Sequence, residues 1–279
     1  MKLSIRAHDT GATSIEGLLD RMTELDVDGV QLVCYKILED IPYVPGAITA
    51  EKAAAIGKAF AQRNKEVTLV GAYFNPMSID DAYVQSAMDI FSDYLHHCHA
   101  LGCNIVGSET GVYTGECENR TMYNRRPESF QKVVSIFSEL SEVAQSCGSV
   151  LGLEAASTHT CYDVKTLQKA RKLIGGKSRV IVDLVNLMDA DNQYRYMDVL
   201  QEALDTFGDD ILLFHLKDCK RENGKHPRIV PVGTGEMDYK QILSAIKKWN
   251  PNAILTLEET PNAYLDSAVK MLRETWEQV

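Results

Sequence analysis

The sequence contains no apolar run approaching the roughly 18–20 residues that a membrane helix needs. Its start, Met1-Lys2-Leu3-Ser4-Ile5-Arg6-Ala7-His8, carries no apolar signal region. No membrane association is expected, and the cytoplasm is the expected address. Basic charge is also scarce, with 29 Lys and Arg against 39 Asp and Glu and a formal net charge of -10. Such a chain repels a polyanion unless its cations gather on one face, so nucleic acid is not an expected partner. The seven cysteines (Cys34, Cys98, Cys103, Cys117, Cys147, Cys161 and Cys219) form no CxxC pair. An odd count in a chain this long suits reduced, mostly buried thiols rather than a disulfide frame. No linker, low-complexity tract or composition break divides the chain, so residues 1–279 are expected to form one domain.

What the sequence does contain is an alternation. With 45% hydrophobic and 24% charged residues it has the composition of a folded globular protein. Short β-branched runs at 2–8, 29–34, 67–73, 104–108, 150–154, 179–183, 211–215 and 253–258 are the expected strands. Most are continuously apolar, such as Val180-Ile181-Val182 and Ile211-Leu212-Leu213-Phe214, as strands covered on both faces must be. Between them, Phe130, Val133, Val134, Phe137, Leu140 and Ala144 recur at helical spacing, and so do Tyr196, Val199, Leu200, Ala203, Leu204 and Phe207. Tyr264, Ala268, Met271, Leu272 and Trp276 repeat the pattern near the end, and Trp249 and Trp276 are expected to pack on outer helices. Ser14 to Gly17 reads as a helix start, Asp238 to Gln241 as a capping box, and Gly175-Gly176 as a helix stop. Eight strand-helix cycles with right-handed crossovers close into an α/β fold, a single (β/α)₈ TIM barrel; an open doubly wound sheet is the competing topology. The long irregular stretches at 36–48, 111–127 and 220–237 all follow strand C-termini, where a barrel keeps its chemistry.

Four consecutive strands finish on a candidate ligand: Glu154, Asp183, His215 and Glu258. A polar group directly after an apolar strand is costly unless paired, and equivalent barrel positions converge at one rim, so the set implies a cation. Three carboxylates and one imidazole suit Mn²⁺ best, with Mg²⁺, Co²⁺ and Zn²⁺ as alternatives.

These residues resemble the xylose isomerase-like TIM barrels, a family that includes sugar-phosphate isomerases and epimerases, ketose 3-epimerases, inosose dehydratases and endonuclease IV. The resemblance also rests on Tyr73-Phe74-Asn75-Pro76, Gly107-Ser108-Glu109-Thr110-Gly111, the spacing of Glu154 and His159, Asp183-Leu184-Val185-Asn186, His215-Leu216-Lys217-Asp218 and the segment Pro231 to Tyr239. It implies a divalent ion on Glu154, Asp183, His215 and Glu258 holding adjacent oxygens of a sugar or polyol, with Glu154 and Glu258 as acid and base. A metal-polarised carbonyl lowers the cost of an enediolate, from which reprotonation gives epimerisation or aldose-ketose isomerisation. Ketose 3-epimerases carry a histidine where this chain has Asn186 and a glutamate where it has Thr160, whereas Arg221 matches their arginine. A different substrate pocket around a shared centre is therefore expected, and homo-oligomerisation is common among such barrels.

Asn186, Lys217, His159, Arg221 and Glu109 are the candidate substrate contacts. Lys217 either neutralises an oxyanion or is a rim lysine paired with Asp218 or Glu258. His159 either meets substrate or is a structural loop group, and Glu109 either faces the mouth or caps Thr110-Gly111. His8 and Asp9 are candidates for the mouth floor. Gly233-Thr234-Gly235 is either an anion nest or a shaped turn. The expected function is a sugar, sugar acid or cyclic polyol isomerase or epimerase, and Lys217 keeps a metal-dependent dehydratase as the alternative. A non-catalytic sugar binder should lack a ligand, and none is missing; a nuclease of the endonuclease IV type needs a histidine-rich zinc cluster that this chain does not offer.

Overall fold

Apolar runs form the wall of a closed barrel in a computed structural model that describes residues 1–176 and 178–279. Its strands are β1 (Lys2–Arg6), β2 (Gly29–Leu32), β3 (Glu66–Gly71), β4 (Ile105–Glu109), β5 (Val150–Glu154), β6 (Ser178–Asp183), β7 (Ile211–Leu216) and, after a ribbon of β8 (Asp218–Lys220) and β9 (Arg228–Val230), β10 (Ile254–Leu257). All eight barrel strands are parallel, and the first pairs with the last through Leu3 opposite Leu255, which closes the ring. Closure excludes the open doubly wound sheet. A Cβ on Gly107 would lie 2.8 Å from Ile181 Cδ1 and one on Gly152 3.0 Å from the same atom, so two adjacent strands use glycine to admit that side chain.

The helices are α1 (Ile15–Glu24), α2 (Ala50–Gln62), α3 (Asp81–His97), α4 (Arg120–Asn124), α5 (Pro127–Cys147), α6 (Val164–Ile174), α7 (Tyr196–Phe207), α8 (Tyr239–Trp249) and α9 (Asn262–Gln278). The expected stripe of α5 is the face that packs inward: Val133, Phe137, Leu140 and Ala144 are buried. Trp276 is buried, and Trp249 meets Phe214 edge-on at 5.5 Å, so both tryptophans pack as expected. Ser14 Oγ accepts from Gly17 N at 3.1 Å to start α1, and Gly175 ends α6 at positive φ. At α8 the Asp238 carboxylate accepts from Gln241 N, but the Gln241 amide returns to that carboxylate and not to the cap backbone. The reciprocal capping box lies instead at Asp163 and Thr166 of α6.

Two of the stretches read as irregular are partly ordered. Residues 111–127 contain α4, and 220–237 contain β9, paired antiparallel with β8 through Cys219 and Ile229. Each element is too short for a periodicity to register in sequence. Both lie after strand C-termini, so they shape the mouth rather than the core.

Candidate metal centre

Glu154 ends β5, Asp183 ends β6, His215 sits one residue before the end of β7, and Glu258 follows β10. These four strands are neighbours in the ring, and Asp183 lies level with His215 in the register. Glu154, Asp183 and His215 are buried and present one ligand atom each, all within 4.8 Å of one another. Glu258 stands beside this trio, its Oε1 3.6 Å from His215 Nδ1, while Glu154 Oε2 lies 3.1 Å from the same nitrogen. One imidazole thus faces two glutamates.

Lys217, two residues beyond His215, turns its ammonium into the cluster, 2.9 Å from Asp183 Oδ2 and 3.3 Å from Glu258 Oε2. It also donates to Asn186 Oδ1 at 3.0 Å. This settles the Lys217 pairing: Glu258 is a partner, whereas Asp218 is engaged elsewhere. Asn186 in turn donates from Nδ2 to Glu154 Oε1 at 2.6 Å and to Glu109 Oε1 at 3.3 Å. Glu109 therefore faces the mouth instead of capping the turn that follows it.

The charges do not cancel. Glu109, Glu154, Asp183 and Glu258 share one buried volume with Lys217, while Arg6 is committed to Asp9 at 2.8 and 2.9 Å and to Glu259 at 2.9 Å. Burial works against a charged Glu258, but His215, Lys217 and Arg6 outweigh it and hold the carboxyl well below the ordinary range. Burial likewise opposes the Lys217 ammonium, which the surrounding carboxylates nevertheless raise. Glu109 is pushed up, first by burial and then by Glu258 and Asp183 against the opposing Lys217. His215 Nε2 has no hydrogen-bond partner among the described residues, although the ring is buried, while Nδ1 faces the two glutamates. Buried polar atoms normally find partners. An excess of carboxylates around an imidazole with an unpartnered nitrogen is a donor set that can hold a divalent ion.

The family model described as "Xylose isomerase-like TIM barrel" matches residues 19–275. The chain belongs to the xylose isomerase-like TIM barrel family. Within this family context, a D-psicose 3-epimerase of Enterocloster bolteae is 23% identical over 247 residues, covering 86% of this chain and 75% of the relative. The crystal structure of a D-tagatose 3-epimerase-like protein superposes with a TM-score of 0.78 at 17% identity, covering 100% of this chain and 98% of that one. An IOLI protein with a bound zinc atom gives a TM-score of 0.74 at 16% identity, covering 99% and 96%.

The remaining candidates of this xylose isomerase-like barrel divide between mouth and rim. His159 is half-buried with Nδ1 unpartnered among the described residues, and burial lowers its imidazole to about 4. His8 sits 3.3 Å from Lys36 Nζ and is lowered to about 3 by burial, Arg6 and Lys36, whereas Asp9 binds Arg6. Arg221 is on the rim, its Nε 3.2 Å from Glu236 Oε2 and its guanidinium 5.6 Å from the Tyr194 ring. The glycine loop is a filled nest: Asp218 accepts from Gly233 N at 3.0 Å, Gly235 N at 2.9 Å, Cys219 N at 2.8 Å and Met237 N at 3.2 Å. The chain's own carboxylate occupies the place an external anion would take, so the loop is a shaped turn. Five cysteines are buried, including Cys34 and Cys161, whose thiols burial pushes to about 12. All seven are free.

Sequence reasoning missed Arg6, which approaches Glu258 at 3.9 Å, and the buried Gln31, which hydrogen-bonds Glu258 and donates to Tyr73 OH at 3.2 Å. Both interrupt apolar strand runs, Leu3-Ser4-Ile5-Arg6 and Gly29-Val30-Gln31-Leu32, and that interruption was the available signal.

Proposed function

We propose that this protein is a divalent-metal-dependent isomerase or epimerase acting on a sugar, a sugar acid or a cyclic polyol. The observation that carries the reading is the buried meeting of Glu154, Asp183 and His215, with Glu258 approaching the same imidazole nitrogen as Glu154. Glu154, Asp183, His215 and Glu258 would hold the ion, Mn²⁺ best by donor type, and the ion would supply the positive charge that eases enediolate formation on a bound hydroxycarbonyl. Glu258, with the Lys217 ammonium 3.3 Å and the Arg6 guanidinium 3.9 Å from its Oε2, is the proton acceptor at the carbon next to the carbonyl. Glu154, fixed by the 2.6 Å bond from Asn186, is the donor to the opposite face. Asn186, Glu109 and His159 bind hydroxyls, since an amide, a readily protonated glutamate and a neutral imidazole all suit polyol hydrogen bonding. Arg221 closes over the substrate from the rim.

Lys217 favours a second reading. Its ammonium is placed among the acids, where it would hydrogen-bond a departing hydroxyl, so elimination of water from the same carbanion is the alternative reaction. One experiment separates the two: incubation in D₂O with a panel of ketoses, sugar acids and inososes, read by NMR. Deuterium next to a carbonyl supports proton transfer with retention of the hydroxyl, and loss of water supports the lyase. Glu258→Gln is expected to slow exchange by roughly 10²–10⁴-fold. Undiminished exchange in that variant would remove Glu258 from the acid-base pair.

A further inference from the structure

We propose that Arg125, Arg126 and Lys169 form a phosphate-binding pocket, separate from the metal centre, between the start of α5 and the start of α6. Its volume is about 350 Å³, and Phe130, Thr160 and Tyr162 complete the wall. That size accommodates a phosphate with a small organic group attached.

The pocket differs from ordinary basic surface in how its cations are held. Neighbouring cations find carboxylates: Lys132 lies 3.4 Å from Asp81, Lys165 3.6 Å from Glu202 and Arg171 2.9 Å from Asp210. Arg125, Arg126 and Lys169 have no such ion pair among the described residues. They rest on ring faces instead, Arg125 4.2 Å from the Tyr162 centroid, Arg126 4.3 Å from Tyr123 and Lys169 4.9 Å from Phe130. Tyr123 is itself stacked on Tyr113 at 3.6 Å. A ring face positions a cation without neutralising it. Glu128, two residues after Arg126, forms no ion pair with any of the three among the described residues, and Asp163 is engaged in capping α6, accepting from Thr166 N at 2.7 Å. Three positioned and uncompensated cations in a chain of net charge -10 match a phosphate dianion, and guanidinium geometry suits its paired oxygens.

The wall also reaches the mouth. Thr160 follows His159 on one loop, and buried Asn124 ties that loop to the preceding one by donating to Thr158 O at 2.8 Å and accepting from Tyr113 N at 2.8 Å. Phosphate bound here would brace the segment that carries His159.

The test is calorimetric titration of the purified protein with inorganic phosphate, glycerol 3-phosphate and glycerol at constant ionic strength, repeated on R125A/K169A and on R125K/K169R. Saturable phosphate binding that weakens at least tenfold in the alanine variant and survives in the conservative one supports the pocket. Tighter binding of glycerol 3-phosphate assigns the site to a phosphorylated metabolite, and equal binding assigns it to the free ion. The absence of saturable binding, equal binding by the alanine variant, or equal binding of glycerol would overturn the proposal. Because all the altered side chains are exposed, an unchanged melting temperature without phosphate shows that the alanine variant folds.

Discussion

His215 concentrates the physics of the centre in one ring. Burial disfavours its charge, but Glu258, Glu154 and Asp183 outweigh burial and raise the imidazole from 6.5 to about 9. A metal-ligating imidazole must be neutral, so entry of an ion expels that proton. Calorimetry with Mn²⁺ near pH ~7.5, in buffers of different ionisation enthalpy, should show release of about one proton per ion and an affinity that rises with pH. Binding without proton release would contradict this. The sign for the metal-free protein follows: with the folded value above the unfolded one, the ring contributes stability that is complete below 6.5 and lost as pH rises through about 9. His8 and His159 act oppositely, because burial keeps them neutral and stability declines as pH falls below 6.5. That His215 is a candidate ligand was legible from its place after Phe214. That Lys217 would reach Asp183 was not, nor was the choice between the two readings of Glu109, because both depend on side-chain contacts between different strands.

Among the elements, the loop between β9 and α8 has the sharpest dependence on one side chain. Asp218 receives four backbone amides, and a Cβ on Gly235 would run into its carboxylate. Hydrogen bonds to a charged group contribute about 1.5–3 kcal/mol each, with little additivity, so Asp218→Ala should lower stability by roughly 3 kcal/mol in urea denaturation. On the proposed function the variant should bind Mn²⁺ as the unaltered protein does while KM rises, because the loop is tied to Asp218 and not to the candidate ligands. A loss below about 0.5 kcal/mol, within the range of ordinary surface substitutions, would show that the nest is not organised by Asp218. The strands and helices that build the barrel were readable because period and length repeat over many residues. The ribbon of β8 and β9 and the helix α4 were not, since three to five residues carry no period and their pairing is set by the barrel beneath them. The glycine pair in Gly233-Thr234-Gly235 was visible, but only the fold could show that the anion it holds comes from the chain itself.

For the whole molecule, ring closure turns separate strand ends into a site. Parallel strands bring four ends from the second half of the sequence to one rim, and the first strand supplies Arg6 to the same place. No helix among the described residues is long and apolar enough to cross a membrane. The negative net charge places no barrier before a divalent cation and repels polyanions, consistent with a small polyhydroxylated partner. The proposed chemistry requires that rim to hold one ion. Equilibrium dialysis against Mn²⁺ followed by elemental analysis tests it most directly, with the Asp183→Ala and His215→Ala variants alongside the unaltered protein. About one ion per chain in the unaltered protein, falling by 10-fold or more in occupancy at limiting Mn²⁺ in folded variants, is the predicted result. No stoichiometric binding, or binding indifferent to both substitutions, would contradict it.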